Sequence, residues 1–206
     1  MQLLANTTSP FVRIARTAMI EKGIDIEPTL VDPWADDARL RAANSATRVP
    51  TLVLDDGTPL AECLLIVQWL ELTRPPPEWP GLMGQDAAMA GILSRTGIAI
   101  GAIEASTITI ITRKVTAPVL FDETPVGRRR RRSMAEGMQR LEAQAGAIAS
   151  SGSPTLDAIA AVTLYDYQQL RFGDQPWLPA TPRLKALAEA WNHRSSFART
   201  MPYMRD

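Results

Sequence analysis

Three short stretches in the first third of this 206-residue chain carry side chains whose type and place suit chemistry on an anion. Ser9 follows a short apolar run and precedes Pro10. Proline suits the first position of a helix, because the amide it lacks would be unpaired there. The first helical turn presents free amides and the positive end of the helix dipole, so it attracts anions and stabilises a thiolate. A hydroxyl at that junction can donate to a bound sulfur anion; it can equally serve only as the helix cap. Val49-Pro50 stands directly before an apolar run. A cis bond there would free main-chain groups of Val49 for a ligand, although most X–Pro bonds are trans. Glu62 and Cys63 open a further helix, where amides can receive a carboxylate. Glu62 can meet an ammonium group on the same ligand, or simply favour the helix by its charge.

The elements that must position these residues alternate in the first half. Gln2–Ala5 reads as a strand, and Phe11, Val12, Ile14, Ala15, Ala18 and Met19 follow helical spacing up to Gly23, a natural stop. Thr29–Val31 reads as a second strand and Ala35–Ala43 as a second helix. Thr51–Leu54 and Thr58–Leu60 flank Asp56-Gly57, a two-residue hairpin signal. A helix from about Glu62 to Leu72 closes the half, giving the order β-α-β-α-β-β-α. Pro75, Pro76, Pro77 and Pro80 then interrupt any regular element. Beyond them four helical stretches are expected: Asp86–Lys114, Arg128–Ile148, Leu156–Leu170 and Arg183–Arg194. Ile108–Ile111 is β-branched and would favour a strand alone, but length and context place it in the first of these helices. The domains expected are 1–77, a linker at 78–84, and 85–206.

Composition excludes several classes of function. Lys+Arg and Asp+Glu both number 22, so the basic excess of a dedicated nucleic-acid binder is absent. The halves differ nonetheless: residues 1–80 carry 7 basic and 11 acidic side chains, and residues 81–206 carry 15 and 11. The run Arg128–Arg132 reads as a solvated or interface surface at a helix start. One Cys and one His, Cys63 and His193, cannot build a Cys/His zinc site, and no metal is expected. Disulfide exchange would need a Cys near position 9 or a C-x-x-C pair, and the sequence has neither. Met1–Pro10 has no basic residue ahead of an apolar run, and Gly97–Ile111 is interrupted by Glu104 and short for a bilayer. The expectation is a cytoplasmic globular protein without a membrane or nucleic-acid partner.

Taken together, Ser9-Pro10-Phe11-Val12-Arg13, Arg48-Val49-Pro50-Thr51-Leu52 and Leu60-Ala61-Glu62-Cys63 with Ile66 and Leu70 resemble a cytosolic glutathione transferase. The likeness is to short bacterial members with Ser-Pro-Phe or Ser-Pro-Tyr followed by Val-Arg. Tyr167, Arg171, Trp191 and the Phe197-Ala198-Arg199-Thr200-Met201-Pro202 stretch extend it over the whole chain. The resemblance implies a thioredoxin-like N-terminal domain, an all-helical C-terminal domain and a two-fold homodimer. It implies that Ser9 hydrogen-bonds the glutathione sulfur and favours its thiolate. Val49 would pair its backbone with the cysteinyl part, held by a cis Val49-Pro50 bond, Arg48 and Pro50 would also contact glutathione, and Glu62 and Cys63 would bind the γ-glutamyl end. An apolar pocket for a small hydrophobic electrophile would draw on Phe11 and the helix near Ile98. Glutathione is then a co-substrate, with no permanently bound cofactor. Two departures stand out: position 63 is usually Ser, and Thr8 places a second hydroxyl in the same turn. A thiol donates a weaker hydrogen bond than a hydroxyl. A glutathione-binding protein with little turnover, and a glutathione-dependent isomerase, peroxidase or lyase, stay open.

Overall fold

The computed structural model describes residues 1–117, 120–148 and 152–204. They form two compact units: Met1–Leu82 together with the chain from Arg194 on, and Met83–His193.

In the first unit, four strands run β1 (Gln2–Ala5), β2 (Thr29–Leu30), β3 (Thr51–Val53) and β4 (Pro59–Ala61). The sheet order is β2-β1-β3-β4, with β1 and β2 parallel and the other pairs antiparallel. Helices α1 (Pro10–Glu21), α2 (Ala38–Ala43) and α3 (Cys63–Thr73) complete the expected β-α-β-α-β-β-α order, the thioredoxin-like arrangement. Alternation does the sorting: Leu3 and Leu52 are fully buried, as are Ile14, Ala15 and Ala18 of α1 and Ile66, Val67 and Leu70 of α3. Leu4, on the other side of the sheet, joins Val31 and Leu40 of α2 in a separate cluster that Val49 flanks.

Two local readings are corrected. Helix α2 starts at Ala38 rather than Ala35. Asp36 has a positive φ of 51°, and the Asp37 carboxylate caps the amides of Arg39 and Leu40. The hairpin is not a two-residue turn. Leu52 faces Leu60 and Val53 faces Pro59, so the loop holds Asp55, Asp56 and Gly57, with Gly57 at φ 88°. Its amide bonds back to the Leu54 carbonyl at 3.0 Å, the three-residue hairpin with a left-handed third position.

A buried ion pair ties the end of α1 to the end of α3. Lys22, fully buried, sits 2.6 Å from the Glu71 carboxylate and donates to the Arg74 carbonyl at 2.8 Å. Arg74 returns a bond to the Lys22 carbonyl and stacks over Trp79. The same Glu71 oxygen accepts the Leu82 amide, which anchors the proline-rich stretch.

The second unit is helical. It contains α4 (Asp86–Thr116), a 3-10 turn at Phe121–Glu123, α5 (Pro125–Ile148), α6 (Leu156–Phe172) and α7 (Pro182–Asn192). By length and composition α4 could cross a membrane. Here it packs on α5 and α6 instead. Ile92, Thr96, Ala99, Ile103 and Ser106 recur at helical spacing on its buried side. Thr96, Ser106 and Thr109 bond their hydroxyls to carbonyls one turn back, so these polar side chains are satisfied inside the unit. Gly137 of α5 brings its backbone close to Ala102, where a side chain would collide.

The expected helical domain ran to 206, yet the chain from Arg194 packs with the first unit. There a short helix, α8 (Ser195–Ala198), lies against α1. Phe197 is buried, Thr17 and Thr200 hydroxyls meet at 2.9 Å, and Arg194 grips Glu21 at 2.6 and 2.8 Å. Arg199 forms the same fork on Asp25 and holds that carboxyl below its ordinary pKa.

Candidate functional site

Strand β1 ends at Ala5 and the chain turns through Asn6–Ser9 into α1. The turn is held locally: the Ser9 amide donates to the Asn6 side chain at 2.8 Å. The Ser9 hydroxyl accepts from the Val12 amide at 3.3 Å, the helix-cap bond that Ser-Pro spacing predicts. A serine hydroxyl used as an acceptor still carries a proton to donate.

Register then brings the other two stretches to the same end of the sheet. Because β1 is antiparallel to β3, Leu4 near the end of β1 pairs with Thr51 at the start of β3. Thr51 in turn faces Ala61 at the end of β4. Val49-Pro50, which is cis, therefore precedes the central strand at the edge where the Ser9 turn leaves it, and Glu62 follows from the neighbouring strand. Asn44 braces this loop, donating to the Arg48 carbonyl at 3.2 Å and to the Thr51 hydroxyl at 3.1 Å. Arg48 reaches Glu62 at 3.5 Å, with both side chains largely exposed. Such a pair is held loosely and yields readily to a ligand.

Glu62 itself has a φ of 70°, an uncommon conformation for a residue with a side chain. It occupies the cap position of α3 without a side-chain cap bond, and its carboxylate meets Arg48 instead. Cys63 opens that helix with 4% of its surface exposed. Phe11, half-buried, lies on α1, and Ile98, also half-buried, lies on α4 in the other unit. Thr8 is half-buried within the Ser9 turn. Among the described residues no group of three or more His, Cys, Asp or Glu side chains could hold a metal ion.

Sequence reasoning missed two participants. Asn6 had the residue type for a turn cap and could have been found. The Tyr203 amide, which donates to the Thr7 carbonyl at 3.3 Å, gave no local signal.

Residues 8–73 match the family model described as the glutathione S-transferase N-terminal domain. The whole chain is similar in structure to a glutathione S-transferase from Methylobacterium radiotolerans in complex with glutathione sulfonate. That likeness has a TM-score of 0.86 and 27% identity, over 100% of this chain and 96% of the other. Over residues 8–73 the chain matches the glutathione S-transferase N-terminal domain, and over its whole length it has the fold of solved glutathione S-transferases. A second family structure, from Methylobacillus flagellatus with glutathione bound, has a TM-score of 0.85 and 26% identity over 98% and 99% of the two chains. Among curated proteins, the uncharacterised glutathione S-transferase-like protein YibF of Escherichia coli K12 is 26% identical over 204 residues, 98% of each chain. Both solved relatives hold glutathione or its sulfonate, so the family fold binds this tripeptide in close structural neighbours.

Proposed function

We propose that this chain binds glutathione along the Ser9, Val49-Pro50 and Glu62-Cys63 edge and uses its thiolate to attack a small electrophile. The observation that carries the reading is the strand register, Leu4 to Thr51 to Ala61, which gathers the three stretches at one sheet end. Ser9 donates its remaining proton to sulfur beside the positive end of α1, favouring RS⁻ over RSH. The Val49 backbone pairs with the cysteinyl residue. The first turn of α3 receives the γ-glutamyl carboxylate and Glu62 its ammonium group. Sulfur then forms a bond to the electrophilic carbon while the leaving group departs with its bonding pair, or, in an acceptor double bond, the π pair moves to the far atom, which takes a proton from solvent. Phe11 contributes apolar surface for the electrophile.

The thiol pKa of bound glutathione, followed by thiolate ultraviolet absorbance, tests this. Ser9→Ala raises it, each unit corresponding to about 1.4 kcal/mol of lost thiolate preference. An unchanged titration removes Ser9 from the mechanism.

One observation favours a second reading, a binding protein with little turnover: Cys63 offers a weaker donor than Ser at the γ-glutamyl end. Tight glutathione binding by calorimetry, with no addition across a panel of electrophiles, would select it. We also infer a homodimer. Leu64, Leu65 and Leu72 on one side of α3 are 38%, 55% and 75% exposed, an apolar face suited to a second copy. Sedimentation should give twice the chain mass, and Leu65→Asp should halve it.

A further inference from the structure

The segment after α8 forms one wall of a cavity that the glutathione contacts above reach only at Ser9. Its volume is about 50 Å³. At roughly 10–15 Å³ per water on that scale, it admits three or four non-hydrogen atoms. One side is the face of α1 on which Ser9, Arg13 and Arg16 recur one turn apart. Leu30 lines the sheet side, and Met201 and Tyr203 the opposite wall.

This wall is cationic. Arg13 is 3% exposed, and its guanidinium reaches the Met201 sulfur at 3.2 Å. The Arg16 side chain is 17% exposed and donates one bond to the Arg199 carbonyl at 3.1 Å. Its nearest carboxylate, Glu27, stands 3.7 Å away and is 83% exposed, a pair that neutralises little. The other nearby acid, Asp25, is already forked by Arg199. The buried Nε of Arg16 has no hydrogen-bond partner among the described residues. A buried guanidinium N–H left unpaired is costly, and an anion is the partner that relieves it best.

We propose that this cavity is a subsite for a small carboxylate carried by the electrophile, next to the carbon that sulfur attacks. The inference rests on the transferase reading, since Ser9 lines the same cavity. A carboxylate and its neighbouring carbon fill the space, and its two oxygens match the planar guanidinium. With a 2-halo acid, the thiolate pair forms the C–S bond and halide leaves with the carbon–halogen electrons. The thiol proton has by then passed to solvent.

Chloroacetate and chloroacetamide are near-isosteric acceptors that differ in charge. Relative to their uncatalysed rates, kcat/KM should favour the acid in the unaltered protein. Arg16→Gln should reduce that preference roughly tenfold, as expected for losing one charge-assisted contact. Arg16→Lys should restore most of it. A second measurement needs no turnover: the NMR line of ¹³C-labelled propionate broadens with the unaltered protein and Arg16→Lys, and not with Arg16→Gln. Circular dichroism checks that each variant folds. Arg16-dependent propionate binding without turnover of either acceptor keeps the subsite and removes the transferase reading. Equal acid-to-amide preference in the unaltered protein and Arg16→Gln, with no propionate broadening, overturns the subsite and leaves that reading intact.

Discussion

Ser9 can serve twice: its oxygen accepts the Val12 amide, and a hydroxyl that accepts keeps a proton it can donate. Capping and thiolate stabilisation are therefore compatible, although from spacing they looked like rivals. Position 63 is the complementary case. Cys63 sits at the first position of α3, where a hydroxyl would donate a stronger bond to a carboxylate than a thiol does. Cys63→Ser should lower the Kd for glutathione several-fold by calorimetry, a fraction of the roughly 1.5–3 kcal/mol of a bond to a charged group. An unchanged or higher Kd would show that backbone amides alone hold that end. The residue types at this site were legible in the sequence, but their backbone states were not. Nothing in Leu60-Ala61-Glu62 announces a φ of 70° at Glu62, because the conformation is imposed by the passage from β4 into α3. Likewise, composition alone favoured a trans Val49-Pro50 bond, and only the family resemblance implied the cis form observed.

At the scale of elements, α6 shows how a helix start is anchored without a cap bond. Thr155 occupies the cap position but makes no cap bond; its hydroxyl donates instead to Asp157 at 2.5 Å. Asp157, 1% exposed, accepts from the Ala158 amide and pairs with Arg95 of α4 at 2.6 Å. The acid is thus both a first-turn anchor and the link between two helices. Asp157→Ala should cost about 3–5 kcal/mol, because it leaves Arg95 without its buried partner. Urea unfolding would measure it, and a loss below about 1 kcal/mol would mean the pair contributes little beyond solvation. Long helices were legible by periodicity, including the β-branched Ile108–Ile111 within α4. Two short elements were less so. Alpha-helix α2 and the Asp55–Gly57 loop were misplaced by one to three residues because side-chain caps and a single left-handed glycine set their ends.

For the whole molecule, the return of the chain to its first unit was invisible in the sequence. Helix α8 is only Ser195–Ala198, too short to show periodicity, and its partners on α1 lie far away along the chain. Phe197, 1% exposed, fills the first unit together with Thr200. Phe197→Ala should destabilise by about 3–5 kcal/mol, the range for emptying a buried aromatic site. A thermal scan should show the melting temperature falling by several degrees. A change within about 0.5 kcal/mol, as at a surface position, would show that the segment rests on the unit without supporting it.

The same return has a consequence during synthesis. When Leu82 leaves the ribosome, all four strands and three helices of the first unit exist, but Phe197 and the Arg194 and Arg199 forks do not. Translation at about 5–20 residues per second leaves that unit incomplete for on the order of ten seconds while the intervening residues are made. For that interval the nascent α1 must keep Thr17 and its apolar surroundings from other chains without its eventual cover.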